Sequence, residues 1–325
     1  MPVFFLFTPA HFDTPPNPPR PGMHDTAYRG RFAPSPTGQL HFGSLVAALG
    51  SYLDARSAGG EWLIRIEDVD RLRTVPGAAD DMLRVLEAFG FEWDGEVIFQ
   101  SQRFDVYEEI VRSLLQSGNA YPCCCSRKEI REQAENGAEG LIYPGTCRQG
   151  MARRTKSNSV RLLTFDQPLS FTDRLLGSLT QNPGREIGDF VIRRADGFYA
   201  YQLAVVVDDG WQGITQVVRG ADLLSSTSRQ CLLQEILTLK RPEYLHLPLA
   251  TDTQGRKLSK QDRDIPVVAD RPMKSLLSAL QFLGQTLPPE PPASLPELWE
   301  WAITHWEIRN IPTTPSRPVQ AFRTD

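Results

Sequence analysis

The sequence predicts an α/β protein built on a doubly wound parallel sheet, and three observations carry that expectation. Residues 31–57 read as strand, stiff loop and helix. Tyr28 to Phe32 can be extended, Pro34, Pro36 and Gly38 forbid regular structure, and Leu45, Leu49 and Leu53 then recur at helical spacing. Residues 61–68 read as a buried parallel strand, with Trp62, Ile64 and Ile66 alternating with Leu63, Arg65 and Glu67. Two amphipathic helices follow. One carries Met82, Val85, Leu86 and Phe89 and stops at Gly90; the other carries Tyr107, Ile110, Val111 and Leu114 and stops at Gly118. Strands alternating with helices in this order belong to a parallel sheet covered on both faces.

The bulk numbers bound the function. At 325 residues and 41% hydrophobic, the chain can bury a large core in about two domains. A net charge of −4 carries no global signal for nucleic acid, so an RNA partner needs a local basic patch. No apolar run of about 18 residues exists to span a membrane. Residues 1–27 read as a disordered extension. Residues 3–7 are too few for a signal-peptide core and lack a basic n-region, and Pro15, Pro16, Pro18, Pro19 and Pro21 follow. Met23 is a candidate for the true start.

The first strand–loop–helix unit has a chemical use. A helix N-terminus presents unpaired N–H groups and partial positive charge, which suits phosphate. Gly43 lets a nucleotide approach the backbone, and His41 can donate to a phosphate oxygen whose charge grows in a transition state. A lone His-x-Gly is more often an ordinary βα turn, so the neighbours decide. Arg31-Phe32-Ala33-Pro34-Ser35-Pro36-Thr37-Gly38, followed by His41-Phe42-Gly43-Ser44, resembles the first signature of class I aminoacyl-tRNA synthetases in its glutamyl form. Lys257-Leu258-Ser259-Lys260-Gln261 resembles the second signature, in the expected order. Gln261 departs mildly from that family's final serine.

The resemblance implies a Rossmann-like catalytic domain over residues 28–270. It also implies an inserted zinc-binding subdomain at about 119–185 and a short helical C-terminal segment at 271–325. It implies catalytic roles for His41, Gly43, Lys257 and Lys260, and ATP binding by His41, Gly43, Ser44 and Lys260. Glutamate would be held by Arg31, Phe32, Ala33, Pro34, Ser35, Glu67, Tyr201 and Arg219. In that family the glutamate corresponding to Glu67 holds the substrate α-ammonium, a role that suits a carboxylate. Arg219 offers the planar, permanently charged fork that a side-chain carboxylate demands, and Arg31 is the second candidate. Lys260 would neutralise charge as the α-phosphate is attacked.

Five cysteines, four of them between Cys123 and Cys147, form no disulfide framework: the count is odd and no secretory signal precedes them. The cluster favours a metal site in a reducing cytoplasm. A cysteine pair one residue apart plus a third sulfur makes three sides of a tetrahedral zinc site, with the fourth ligand open on spacing alone. The short glutamyl-type synthetases carry Cys-x-Cys and then Tyr-x-x-x-Cys, and that resemblance implies one structural Zn2+ on Cys123, Cys125, Tyr143 and Cys147. Cys124 is a rival donor. The basic run of Arg148, Arg153, Arg154, Lys156 and Arg161 reads either as a solvated face or as phosphate contacts to tRNA.

Residues 187–194 read as a strand, Asp196-Gly197 as a turn, and residues 200–209 as an apolar core segment in which Tyr201 needs a hydroxyl partner. Asp252 to Arg256 read as a turn leading into the second signature. Residues 275–283 form a short amphipathic helix, residues 288–296 a proline-rich connector, and Trp299, Trp301 and Trp306 packing residues.

Over about residues 28–285 the chain resembles the short glutamyl-queuosine tRNA(Asp) synthetase group. The resemblance implies activation of L-glutamate by ATP, with Mg2+, to glutamyl-adenylate without tRNA. Transfer to the queuosine base of tRNA(Asp) then follows, by a cytoplasmic monomer with no anticodon-binding domain. One rival is a glutamyl-tRNA synthetase fragment charging the 3′ end of tRNA(Glu). The other is a non-catalytic RNA-binding paralogue, against which His41, Lys257 and Lys260 speak. Composition and spacing by themselves reach only a nucleotide-using α/β protein with a candidate zinc site.

Overall fold

A computed structural model describes residues 27–137, 140–151, 158–252, 254–256, 267 and 269–319. Residues 1–26, the second signature (Lys257, Leu258, Ser259, Lys260) and Arg153, Arg154 and Lys156 lie outside the described residues. The first half of the sheet is β1 (Arg29–Phe32), β2 (Glu61–Ile66) and β3 (Ile98–Phe99), connected through α1 (Phe42–Ser57) and α2 (Ala78–Ala88). β1 and β2 are parallel, with Arg29 opposite Glu61 and Phe32 opposite Ile64, and β2 continues parallel into β3 at Arg65 and Ile98. After β3 come α3 (Phe104–Gln116) and a long inserted stretch.

The insertion begins with β4 (Ala120–Cys123), α4 (Arg127–Gln133), β5 (Glu135–Gly137), β6 (Gly140–Ile142) and β7 (Ser159–Leu162). It continues through β8 (Leu169–Asp173), β9 (Gly177–Gln181) and β10 (Phe190–Arg193). β4, β7 and β10 form an antiparallel sheet with β7 in the middle. The chain then returns through α5 (Tyr201–Trp211), β11 (Gln216–Gly220), α6 (Thr227–Ile236) and β12 (Glu243–Leu247).

β11 and β12 are parallel from Gln216–Glu243 to Gly220–Leu247. The Thr215 N–H donates to the Arg29 carbonyl at 2.9 Å, and the Arg29 N–H to Thr215 Oγ1 at 2.8 Å, so β11 starts beside β1. The strands therefore run outward from β1 in one direction and from β11 in the other. Open α/β sheets bind ligands at such a switch point, beyond the carboxyl ends of the strands. β8 pairs in parallel with β12 at Asp173 and Tyr244, so a strand of the insertion extends the central sheet.

Two cores cover the sheet. Trp62, Ile64, Val218 and Leu245 pack with α1 and α2 on one side, joined by α7 (Pro272–Phe282) and α8 (Leu295–Thr304). Leu63, Val217 and Tyr244 pack with α3, α5 and α6 on the other. Alternate residues of a strand facing different cores is the mark of a sheet buried on both faces.

The expected stops are found. Gly90 has φ +77, its N–H donates to the Glu87 carbonyl and that of Phe91 to the Leu86 carbonyl, closing α2 in a Schellman motif. Gly118, with φ +74, follows α3. Trp299 and Trp306 are buried, donating through Nε1 to the Phe89 carbonyl at 3.1 Å and to Asp54 Oδ1 at 3.2 Å. Residues 200–209, read only as a core segment, prove to be α5, buried from Leu203 to Asp209. A helix buried on all sides has no amphipathic stripe to betray its period. Among the described residues no helix is long and apolar enough to cross a membrane.

β13 (Leu249–Thr251) and β14 (Ser316–Pro318) form a small parallel pair.

Candidate active site

His41 is the N-cap of α1. The Ser44 N–H donates to its Nδ1 at 3.2 Å, so the Nδ1 lone pair is occupied and the neutral ring carries its proton on Nε2. Nε2 lies 3.1 Å from Ser44 Oγ. A Cβ at Gly43 would stand 3.2 Å from two atoms of the His41 ring, so this glycine leaves room for the imidazole as well as for a ligand. Pro34 to Gly38 has no helix or strand, as the prolines require. The loop is held to β2, since the Glu67 N–H donates to the Pro34 carbonyl at 2.9 Å.

One cavity of about 250 Å³ gathers the expected residues: Arg31 to Ser35 from the end of β1, His41, Gly43 and Ser44 from the start of α1, Glu67, Tyr201 and Arg219. They come from separate elements and meet where β1 and β11 end. Leu249 and Ala250 of β13 also line it. Asp252 to Arg256 then close a turn, with the Asp252 N–H on the Arg256 carbonyl at 2.8 Å. Beyond the second signature, the Val267 N–H donates to the Leu40 carbonyl at 2.9 Å, beside His41.

The charges here are buried and interlocked. Arg31 donates to Asp209 through Nε at 3.1 Å and Nη2 at 3.3 Å. Arg65 Nη1 reaches Asp209 Oδ1 at 2.7 Å and its Nη2 reaches Glu67 Oε1 at 3.3 Å. Burial pushes the Asp209 carboxyl up, but the guanidiniums of Arg31 and Arg65 outweigh it and hold the group below the ordinary carboxylate value. For Glu67 the balance reverses: burial outweighs Arg65 and Arg31, and its carboxyl lies above the ordinary value. Burial, with Glu67 beside it, also raises the Tyr201 phenol.

Arg219 is buried and donates to four protein acceptors: His246 Nε2 at 3.1 Å, Gln230 Oε1 at 2.7 Å, Thr227 Oγ1 at 2.8 Å and the Leu223 carbonyl at 3.3 Å. A guanidinium has five N–H bonds, which leaves one for the cavity. Arg31 spends two on Asp209 and faces the same cavity with more donors in hand.

The family model for the catalytic domain of class I tRNA synthetases (E and Q) matches residues 27–286. This chain belongs to the class I tRNA synthetases of the E and Q group. The synthetase is 55% identical, over 89% of its length and 97% of the other, to a glutamyl-Q tRNA(Asp) synthetase of Dechloromonas aromatica. A protein of the same name from Chromobacterium violaceum is 53% identical over 90% of this chain and 98% of that one. A solved glutamate-tRNA synthetase of Elizabethkingia anophelis matches with a TM-score of 0.73 at 25% identity, covering 91% of this chain and 70% of that one. The α/β fold expected from the strand–helix order is thus that of a class I synthetase.

A second cluster sits in the synthetase's insertion. The sulfurs of Cys123, Cys125 and Cys147 lie within 4.8 Å of one another. The Tyr143 hydroxyl is 3.3 Å from the sulfurs of both Cys123 and Cys125. β4, the turn after it and the segment beyond β6 bring these residues together. Three thiols this close match the sulfur donors of a tetrahedral zinc site, and the Tyr143 oxygen lies beside them. Cys124 stands outside the trio, its sulfur 3.8 Å from that of Cys147.

One arginine of the basic run supports this cluster from inside, and a second is tied to a buried carboxylate nearby. Arg161 is buried, donates from Nε to Cys123 Sγ at 3.3 Å, and lies 3.8 Å above the Tyr143 ring. Arg148 forms a two-point pair with Asp189, at 2.6 and 2.7 Å. Neither guanidinium belongs to a purely solvated face. Sequence reasoning missed Asp209, His246 and Asp173. Only Asp209 left a signal, since a carboxylate closing an apolar run needs a buried cation.

Proposed function

We propose that this synthetase activates L-glutamate with ATP and then esterifies it onto the queuosine base in the anticodon loop of tRNA(Asp). The observation that carries this reading is the single cavity in which Arg31, Glu67, Tyr201 and Arg219 face His41 and Gly43. An amino acid with a second carboxylate fits such a site at three points. Glu67 takes the α-ammonium, Arg31 and Arg219 take the side-chain carboxylate, and Tyr201 and the Phe32 to Ser35 backbone close around the chain. Because Arg219 has one N–H to offer, Arg31 supplies more of the hydrogen bonding and Arg219 adds charge at fixed geometry.

The substrate α-carboxylate attacks the α-phosphate of ATP, brought as its magnesium complex, and pyrophosphate leaves. His41 Nε2–H, Ser44 and the N–H groups opening α1 receive the phosphates, in the way helix N-termini hold anions. Lys257 and Lys260 are assigned the charge that builds on the α-phosphate. The described residues on either side of them, Ala250 in the cavity wall and Val267 bonded to Leu40, favour that assignment. A hydroxyl of the queuosine cyclopentenediol then attacks the adenylate carbonyl and AMP leaves. The names borne by the relatives at 55% and 53% identity favour this acceptor over the 3′ end of tRNA(Glu).

We assign one Zn2+ to Cys123, Cys125, Tyr143 and Cys147 in the inserted subdomain. With all four positions filled by protein, it would brace the fold there and activate no water. The setting is the cytoplasm, where these thiols stay reduced, and the working unit is a monomer. Pyrophosphate exchange tests the first step: glutamate and ATP alone should support exchange, and aspartate and glutamine should not. Exchange that required tRNA would contradict the reading.

A further inference from the structure

The cavity is supported by a polar chain that its lining does not reveal. His246, on β12, is 1% exposed, and Asp173, at the end of β8, is also 1% exposed. Asp173 Oδ2 accepts from the His246 backbone N–H at 3.0 Å and lies 2.7 Å from Nδ1. Its other oxygen accepts from the N–H groups of Leu175 and Leu176, both at 2.9 Å. A carboxylate held on both oxygens can only accept, so Nδ1 carries the ring proton and Nε2 presents a lone pair. Arg219 Nε donates to that lone pair at 3.1 Å.

We propose that Asp173 and His246 are positioning residues for Arg219, a buried relay from β8 through β12 that sets the guanidinium's plane toward the glutamate cavity. This rests on the reading that Arg219 meets the substrate carboxylate. Beside the Leu223 carbonyl, which the backbone fixes, Arg219 is oriented by whichever of its three side-chain acceptors are themselves held. Thr227 is a rotatable hydroxyl and Gln230 an amide on the side of α6, with its own NH2 donating to Gln202 Oε1 at 3.0 Å. His246 is the acceptor whose proton state is locked by a carboxylate.

The relay also fixes a direction with pH. Burial lowers the His246 pKa, Asp173 and the nearby Asp222 oppose this, and Arg219 reinforces it. The ring is therefore neutral at pH 7. Protonation at acid pH would turn Nε2 into a donor aimed at the Arg219 N–H. The groups facing the ring are Asp173 on β8, Arg219 on β11, Thr227 on α6, the Asp222 carboxylate just after β11, and Tyr244, whose ring lies stacked at 6.1 Å on the same strand.

The test compares His246→Asn and His246→Gln by glutamate-dependent pyrophosphate exchange, with Arg219→Ala alongside. Gln can return an amide oxygen to Arg219, whereas Asn is too short to reach it. His246→Asn should raise the KM for glutamate about tenfold or more, the usual weight of a hydrogen bond to a charged group. Its kcat and KM for ATP should change little, His246→Gln should recover most of the loss, and His246→Asn should add nothing on top of Arg219→Ala. If Arg219→Ala raises the glutamate KM and His246→Asn does not, the relay is refuted and the pocket stands. If both His246 variants lose kcat and melting temperature alike, the role is structural only and the relay is again refuted. Should Arg219→Ala itself leave the glutamate KM unchanged, the pocket reading falls and takes the relay with it.

Discussion

Arg31 and Asp209 face each other across the switch point of the sheet in a buried two-point pair, Nε to Oδ1 at 3.1 Å and Nη2 to Oδ2 at 3.3 Å. One partner lies near the end of β1 and the other on α5, so the pair ties the first signature to the second half of the fold. Arg65 shares the same carboxylate at 2.7 Å, and the charge Asp209 holds helps two arginines stay buried beside the cavity.

Asp209→Asn should therefore be among the most damaging single changes. It leaves two buried guanidiniums facing an uncharged amide, and breaking a buried pair in this way costs about 3–5 kcal/mol. Urea denaturation should show a loss of that order, and glutamate activation should fall with it. The sign with pH follows from the depressed carboxyl: its contribution is present above the ordinary aspartate value of 3.8 and is lost as pH falls through the lower folded-state value.

Glu67 runs the other way. Its folded-state pKa is raised above 4.5, so the protonated form is the one that folding favours. Any stability from that preference is present below 4.5 and lost as pH rises through the folded-state value. The charged carboxylate is thus a cost to stability, carried for function. Glu67→Gln, which keeps an oxygen for Arg65 Nη2, should melt at or above the wild-type temperature while losing most glutamate activation. In the wild type, the KM for glutamate should begin to climb on acidification before pH 4.5 is reached. A Gln variant with near-normal exchange would refute the ammonium role.

Metal content separates the cysteines. Purified protein should carry one zinc, and serine at Cys123, Cys125 or Cys147 should release it. Cys124→Ser should retain it, because its sulfur stands outside the close trio. Loss of zinc from Cys124→Ser with retention in Cys123→Ser would shift the ligand register by one residue.

Some of this was legible in the chain and some was not, for physical reasons. His41, Gly43 and Glu67 were singled out by the resemblance to the synthetase signatures, because a strand–loop–helix junction alone reads as an ordinary turn, and all three line one cavity. Gly90 and Gly118 were readable as stops because each takes the left-handed backbone that ends a helix. Residues 200–209 hid their helical type, since burial on every side removes the periodicity that distinguishes helix from strand. Asp173, His246 and Arg219 come from three strands joined side by side, and no spacing within one segment records that contact. Arg161 looked like part of a basic run. Its immediate neighbours Val160 and Leu162 are apolar, and its position on β7 turns it inward onto Tyr143 and Cys123.

The central claim is the destination of the glutamate, and locating the label after transfer tests it most directly. Purified protein, ATP and [14C]glutamate would be incubated with tRNA(Asp) containing queuosine, with tRNA(Asp) lacking it, and with tRNA(Glu). Nuclease digestion then maps the radioactivity. The account expects label on the anticodon-loop base of queuosine-containing tRNA(Asp), none on the unmodified form, and loss of acceptance when periodate first cleaves the cyclopentenediol. Label on the 3′-terminal adenosine of tRNA(Glu) would contradict it.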